Sequence, residues 1–163
     1  MEKHDDTSSS FVASRTHLLV GDAVAAIILL EDGRYLLQHR DDLPHIWYPN
    51  HWGCFGGSVE PGEDPVKALH RELREELAIE FREAKFFAQI DFNLAGLGIG
   101  QYYRKYYAVH TSPAEMAGLC LGEGKAVTAF DSDTMLKTLT LTPYDAFALF
   151  LHARSFRIRP VTG

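Results

Sequence analysis

Glu72, Glu75 and Glu76 fall within five residues of one another in GGSVEPGEDPVKALHRELREELAIE, the stretch from residue 56 to residue 80. Carboxylates three and four apart on a helix are neighbours, and like charges there repel by about 0.2–0.5 kcal/mol per pair. Arg71 and Arg74 are interleaved to relieve that repulsion. A hard divalent cation would relieve it far better, because oxygen ligands are what Mg²⁺ takes. The chemistry open to such a cluster is capture of a cation and, through it, of an anionic substrate. A solvated acidic face has the same composition. The run just upstream argues for a site: Gly56-Gly57 and Pro61-Gly62 let backbone turn tightly and approach a ligand closely before a helix N-terminus.

The element that must carry these glutamates is a helix. Asp64-Pro65 is a capping residue followed by proline, which places the helix start near residue 65. Val66, Leu69, Leu73 and Leu77 recur at steps of three, four and four, an apolar stripe beside the arc that holds the three glutamates.

Around this helix the chain reads as strands. AVAAIILL (23–30) and RYLLQHR (34–40) flank Glu31-Asp32-Gly33, a hairpin signal. DDLPHIWYPNH (41–51) reads as a loop, and HWGCFGG (51–57) as a short apolar stretch closed by glycines. AKFFAQIDF (84–92), QYYRKYYAVH (101–110) and KAVTAF (125–130) read as further strands, with a turn at 94–100 and a long connection at 111–124. A short helix is expected over 132–139 and a final one from Thr142-Pro143 to about Arg154. Tyr144, Phe147, Phe150 and Leu151 recur on that last helix at the spacing of a core-facing stripe. Several strands with two main helices make a single α+β domain over residues 17–163, preceded by a flexible tail at 1–16.

Composition bounds the partners. A net charge of −6 disfavours general binding to nucleic acid or to a membrane surface, and no apolar run is long enough to span a bilayer. MEKHDDTSSS lacks the apolar segment of a signal peptide, and two widely separated cysteines, Cys54 and Cys120, read as free thiols of a cytoplasmic protein.

Gly57, Glu63, Arg71, Glu72, Leu73, Glu75, Glu76 and Ile79 match the Nudix box, G-x(5)-E-x(7)-R-E-U-x-E-E-x-G-U with U aliphatic. The chain thus resembles the MutT-like Nudix hydrolases. WGCFGG also resembles the family's W-x-L-P-G-G entry, with Phe55 in place of proline. Ala78 stands where the family usually has glycine, which suggests a slightly different exit from the helix. The resemblance implies the Nudix fold, a mixed β-sheet packed between helices as an α/β/α sandwich.

It also implies a function: hydrolysis of the diphosphate linkage in a nucleoside diphosphate joined to another moiety, by water attack assisted by Mg²⁺, with Mn²⁺ a substitute. By resemblance Glu72, Glu75 and Glu76 are the metal ligands, with the Gly57 carbonyl as a supplement. Arg71 would orient Glu75, and Glu63 would brace the junction of loop and helix. The general base is either a box glutamate, Glu75 foremost, or one from a later loop, Glu123 in LGEGKA ahead of Glu115. Arg40 and Arg104 are candidate phosphate contacts; for both, plain surface exposure is the simpler reading. His39, His51, His70 and His110 lie at no metal-ligand spacing, and Tyr102, Tyr103, Tyr106 and Tyr107 could stack a base, though strand packing is the simpler reading. Two rivals share the fold: a nucleotide-binding module without catalysis, and a prenyl-diphosphate isomerase using Cys54. Selectivity is expected in 41–51, 93–100 and 111–124, and a homodimer is compatible with all of this.

Overall fold

A computed structural model describes residues 21–98 and 100–155 of the chain. The tail expected at 1–16 lies outside the described residues.

One mixed sheet organises the chain. Its strands are β1 (Ala23–Leu30), β2 (Tyr35–His39), β3 (Trp52–Gly53), β4 (Ala84–Asn93), β5 (Gln101–Thr111) and β6 (Ala126–Phe130). β1 and β5 run parallel, register Ala23 to Arg104 through Leu30 to Thr111, while β4 continues antiparallel from β5. β2 is shared: β1 takes Tyr35 and Leu36, β3 takes Gln38 and His39, and β6 pairs along the whole strand. The Glu31-Asp32-Gly33 turn closes as a hairpin, with the Gly33 N–H donating to Leu30 O and the Leu30 N–H to Arg34 O, both at 2.9 Å.

Among the described residues, four α-helices cover this sheet: α1 (Pro65–Leu77), α2 (Pro113–Ala117), α3 (Ser132–Thr138) and α4 (Pro143–Ser155). Alternation along the strands divides the core into two faces. Val24, Ala26, Ile28, Leu36, Tyr107 and Val109 pack with Leu69, Leu73 and Leu77 of α1. Ala25, Ile27, Leu37, Tyr106 and Cys54 pack with Met135 of α3 and Ala148 and Leu149 of α4. The result is the α/β/α sandwich.

α1 begins as its sequence dictates. The Asp64 carboxylate accepts from the Val66 and Lys67 N–H groups at 3.0 and 3.1 Å, and Pro65 occupies the first turn. Its end corrects one expectation. Ala78 takes the left-handed conformation (φ 55°, ψ 25°) and its N–H closes on Arg74 O at 3.0 Å, the same exit that a glycine would make. The substitution changes the cost of the turn, not its path.

A second correction concerns α4. Phe147 and Phe150 are exposed, and the buried residues are Asp145, Ala148, Leu149 and His152. Phe147 and Phe150 face away from the sheet because Asp145 anchors the opposite side of the helix. Its Oδ2 accepts from the Cys54 N–H and the Thr142 hydroxyl, and its Oδ1 accepts from Tyr106 OH and Arg104 Nε. Four groups held by one buried carboxylate outweigh the burial of two phenylalanines.

Candidate active site

Two backbone segments form a cradle for the glutamates of α1. Residues 55–59 run beside β1, with the Val24 N–H donating to Gly57 O and the Ala26 N–H to Phe55 O. The Gly57 backbone then lies directly against Glu72, where a Cβ on Gly57 would stand 2.4 Å from Oε2. The second segment is the loop between α2 and β6. Its Cys120 and Gly122 N–H groups donate to Leu77 O and Glu76 O, at 3.0 and 2.7 Å, on orphan carbonyls at the C-terminal end of α1. Gly122 approaches so closely that a Cβ would meet Glu75 O at 2.4 Å.

Between the two segments lies a cleft of about 290 Å³ lined by Gln38, Arg40, Gly57, Glu72, Glu76 and Glu123 among others. The three box glutamates do not share one environment. Glu76 is 6% exposed, and its Oε2 accepts from the Gly56 N–H at 2.8 Å. The Glu72 side chain is 15% exposed and its Oε1 accepts from Arg71 Nη1 at 2.7 Å. The Glu75 side chain is 58% exposed, 3.6 Å from the same Arg71 nitrogen, and does not line the cleft.

Electrostatics follow the geometry. Burial pushes the Glu76 carboxyl up to about 8; the like charges of Glu72 and Glu123 add to this, while the Gly56 N–H opposes it. Burial also raises Glu72, against the pull of Arg71 and with the repulsion of Glu75 and Glu123. Arg71 hydrogen-bonds lower Glu63.

Arg71 is the organising cation, but its main partners are not those expected. It meets Glu63 twice, at 3.1 Å from Nε and 3.0 Å from Nη2, and Nη2 also donates to Ser58 O at 2.9 Å. Glu75 is the weakest of its contacts. Glu63 in turn accepts from the Glu60 N–H at 3.0 Å, so Arg71 and Glu63 together tie the glycine-rich loop to α1.

Glu123 does reach the cleft, and so does Arg40, whose Nε donates to Trp47 O at 3.0 Å. Arg104 does not. On β5 it shares the face of Tyr106, so its guanidinium lies on the α4 side, 3.2 Å from Asp145 and stacked over Tyr144 at 4.9 Å. Asp145 holds it charged despite burial. It is spent on the core, and the phosphate contact expected of it is corrected accordingly. Glu115 is likewise elsewhere: its carboxylate accepts from the Ser112 N–H and hydroxyl in the capping box of α2. Cys54 is 2% exposed on the α4 face, and burial raises its thiol well above the ordinary range. A buried, neutral thiol on the wrong side of the sheet cannot serve the isomerase reading.

The sequence reading missed Gln38 and Asp41. Gln38 Nε2 donates to Glu123 O at 3.1 Å and to Glu76 Oε1 at 3.4 Å; Asp41 Oδ2 accepts from the Gly124 N–H at 3.1 Å. One signal was available. Leu36, Gln38 and Arg40 alternate on one side of β2, and a glutamine next to a core leucine has to find polar partners.

The donor set suits a hard cation: carboxylate and carbonyl oxygens around a buried acid whose charge lacks compensation. Gly57 O keeps one lone pair after accepting from Val24. Among the described residues no three carboxylates, imidazoles or thiols converge closely enough to coordinate one ion as they stand. Glu72 is paired with Arg71, and Glu75 is largely exposed outside the cleft.

Comparison with known proteins accords with this geometry. The NUDIX domain profile matches residues 20–146. The nucleoside triphosphatase NudI of Escherichia coli is 46% identical over 50 residues, a match spanning 31% of this chain and 35% of that protein. The chain therefore aligns with about a third of the length of that curated relative. A MutT NUDIX hydrolase from Burkholderia pseudomallei superposes with a TM-score of 0.65 at 27% identity, over 80% of this chain and 95% of that one. The E. coli ORF135 protein superposes with a TM-score of 0.63 at 30% identity, over 86% and 93% of the two chains. Among the described residues no helix is long and apolar enough to cross a membrane. With Glu72 and Glu76 of the box set against a glycine cradle and the profile matched along most of its length, the chain belongs to the Nudix family.

Proposed function

We propose that the protein hydrolyses the diphosphate linkage of a nucleoside diphosphate joined to another moiety, with Mg²⁺ as the cation and Mn²⁺ able to replace it. The observation that carries this reading is the meeting of Glu72 and Glu76 from α1 with Glu123 from a separate loop around one polar cleft. Carboxylates from two elements directed into one cleft have no structural use that an apolar pair would not serve better. The likeness to NudI, a nucleoside triphosphatase, supports a nucleotide substrate.

In this reading Glu72, Glu75 and Glu76 hold the cation, with the Gly57 carbonyl beside them. Bound there, a divalent cation lets the anionic diphosphate approach the carboxylates and polarises the phosphoryl group. Arg71 keeps Glu72 and Glu63 in place, and so fixes the cradle. Arg40, at the mouth of the cleft, meets a phosphate oxygen. Glu123 takes the proton from the attacking water; if it does not, that role passes to Glu75. The site retains every carboxylate of the box, which favours catalysis over mere nucleotide binding. The free thiols suit a cytoplasmic setting.

The test is a panel of nucleoside triphosphates, nucleotide sugars and dinucleoside diphosphates with Mg²⁺, read by phosphate release with and without added phosphatase. Turnover of at least one compound, abolished by chelation, is the expected result. Binding without turnover across the panel would favour the binding module instead.

A further inference from the structure

We propose that Gln38 is a positioning residue that acts through Glu123, holding the backbone of the α2–β6 loop against the Glu76 carboxylate. This rests on the reading of Glu123 as the proton acceptor.

The cleft-facing side of β2 carries Leu36 and Gln38, with Arg40 just past its end; Leu36 is sealed in the core, and Gln38 is 5% exposed. A primary amide buried to that extent must spend its hydrogens, since an unmet donor is costly. Gln38 spends both on the site: one on Glu123 O at 3.1 Å and one on Glu76 Oε1 at 3.4 Å. One side chain thus links a residue of the box helix to a residue 47 positions later, across the mouth of the cleft.

The surrounding contacts show what this link adds. The loop is pinned at its start by Cys120 and Gly122 on the end of α1. Beyond Glu123 it is pinned by the Gly124 N–H on Asp41 and by the Lys125 N–H on His39 O at 2.8 Å. Glu123 itself is the residue between those anchors, and its carbonyl is tied down by Gln38 alone among the described residues. Removing that donor frees the peptide that carries the Glu123 side chain, while the flanking anchors keep the loop from leaving the protein. A merely packed glutamine would not need both amide hydrogens directed at the two sides of one cleft.

The test combines Gln38→Met, which keeps length and packing but removes the donors, with Glu123→Gln and the double variant. Gln38→Met should lower kcat on the substrate found by the panel by about 10- to 100-fold, with KM within about threefold. The double variant should be no slower than Glu123→Gln alone, because the two changes disable one function. Amide exchange in the metal-free protein should quicken at residues 122–124 in Gln38→Met and stay unchanged at β1 and β5. Multiplicative losses in the double variant, or unchanged exchange at 122–124, would overturn the proposal. If Glu123→Gln is fully active, the proton-acceptor reading fails, and with it the role of Gln38 in catalysis. Faster exchange would then show only that Gln38 anchors the loop.

Discussion

The backbone of Gly57 lies in direct contact with the carboxylate of Glu72, so close that a Cβ there would stand 2.4 Å from Oε2 and 2.5 Å from Cδ. No rotamer adjustment at residue 57 can relieve this, since a Cβ position is set by the backbone. Gly57→Ala should therefore push Glu72 off Arg71 and out of the cleft. Displacement of about 1 Å at a reacting site costs on the order of a hundredfold, so kcat/KM should fall by about that factor. Far-ultraviolet circular dichroism should remain that of the parent, because the cores on both sheet faces are untouched.

Arg71→Lys tests the brace. The planar guanidinium serves Glu63, Glu72 and Ser58 O at once, a set that a lysine cannot reproduce. Charge-assisted hydrogen bonds contribute about 1.5–3 kcal/mol when well buried. Arg71 is partly exposed, so a loss of about 1–2 kcal/mol is expected in urea unfolding.

Ala78→Gly should stabilise the protein. Alanine pays about 1–2 kcal/mol for left-handed backbone, and glycine returns part of that through its more mobile unfolded state. A net gain of about 0.5–1 kcal/mol in urea unfolding is expected, with kcat unchanged.

Arg104→Met separates a core role from a substrate role. It leaves Asp145 buried without its cation, a change that costs about 3–5 kcal/mol. KM measured well below the melting temperature should stay within about twofold of the parent. A large rise in KM with unchanged stability would return Arg104 to the substrate.

A pH effect on stability is expected from His152. It is buried between Tyr35, whose hydroxyl lies 3.0 Å from Nδ1, and the Phe87 ring. Burial lowers its pKa from the ordinary 6.5, and the charge of His110 lowers it further. A histidine with a depressed folded value binds its proton more readily when unfolded. Stability is therefore full above about 6.5 and is lost as pH falls toward and through the folded value. The melting temperature should drop over that window, and His152→Gln should flatten the drop.

Much of this was legible in the sequence, for physical reasons that differ by element. The Val66, Leu69, Leu73, Leu77 stripe and the Asp64-Pro65 start are local signals, and α1 obeys them. Tyr144, Phe147, Phe150 and Leu151 also make a stripe, yet α4 presents much of it to solvent, because the buried carboxylate of Asp145 binds Cys54, just past β3, and Tyr106 of β5, which no local window contains. Arg104 was misjudged in the same way: its partner lies 41 residues away. The carboxylate cluster could be located from spacing, whereas its division into buried, half-buried and exposed members required the cradle of Gly56 and Gly57. Gln38 offered only its alternation with Leu36 as a sign, and its partners were fixed by the fold bringing β2 and the Glu123 loop together.

The central claim is that the gathered glutamates act through a bound divalent cation on a diphosphate, and Glu76 is its most direct test. Single-turnover hydrolysis of the best panel substrate should be compared between the parent and Glu76→Gln, each with Mg²⁺ and with chelator. Loss of one carboxylate forfeits several kcal/mol of stabilisation in the transition state, and at 1.36 kcal/mol per decade that is roughly a thousandfold in rate. The metal-site assignment predicts that loss in the variant, and loss of parent activity to the chelator. Turnover of Glu76→Gln within about tenfold of the parent, or parent activity that survives complete chelation, would contradict it.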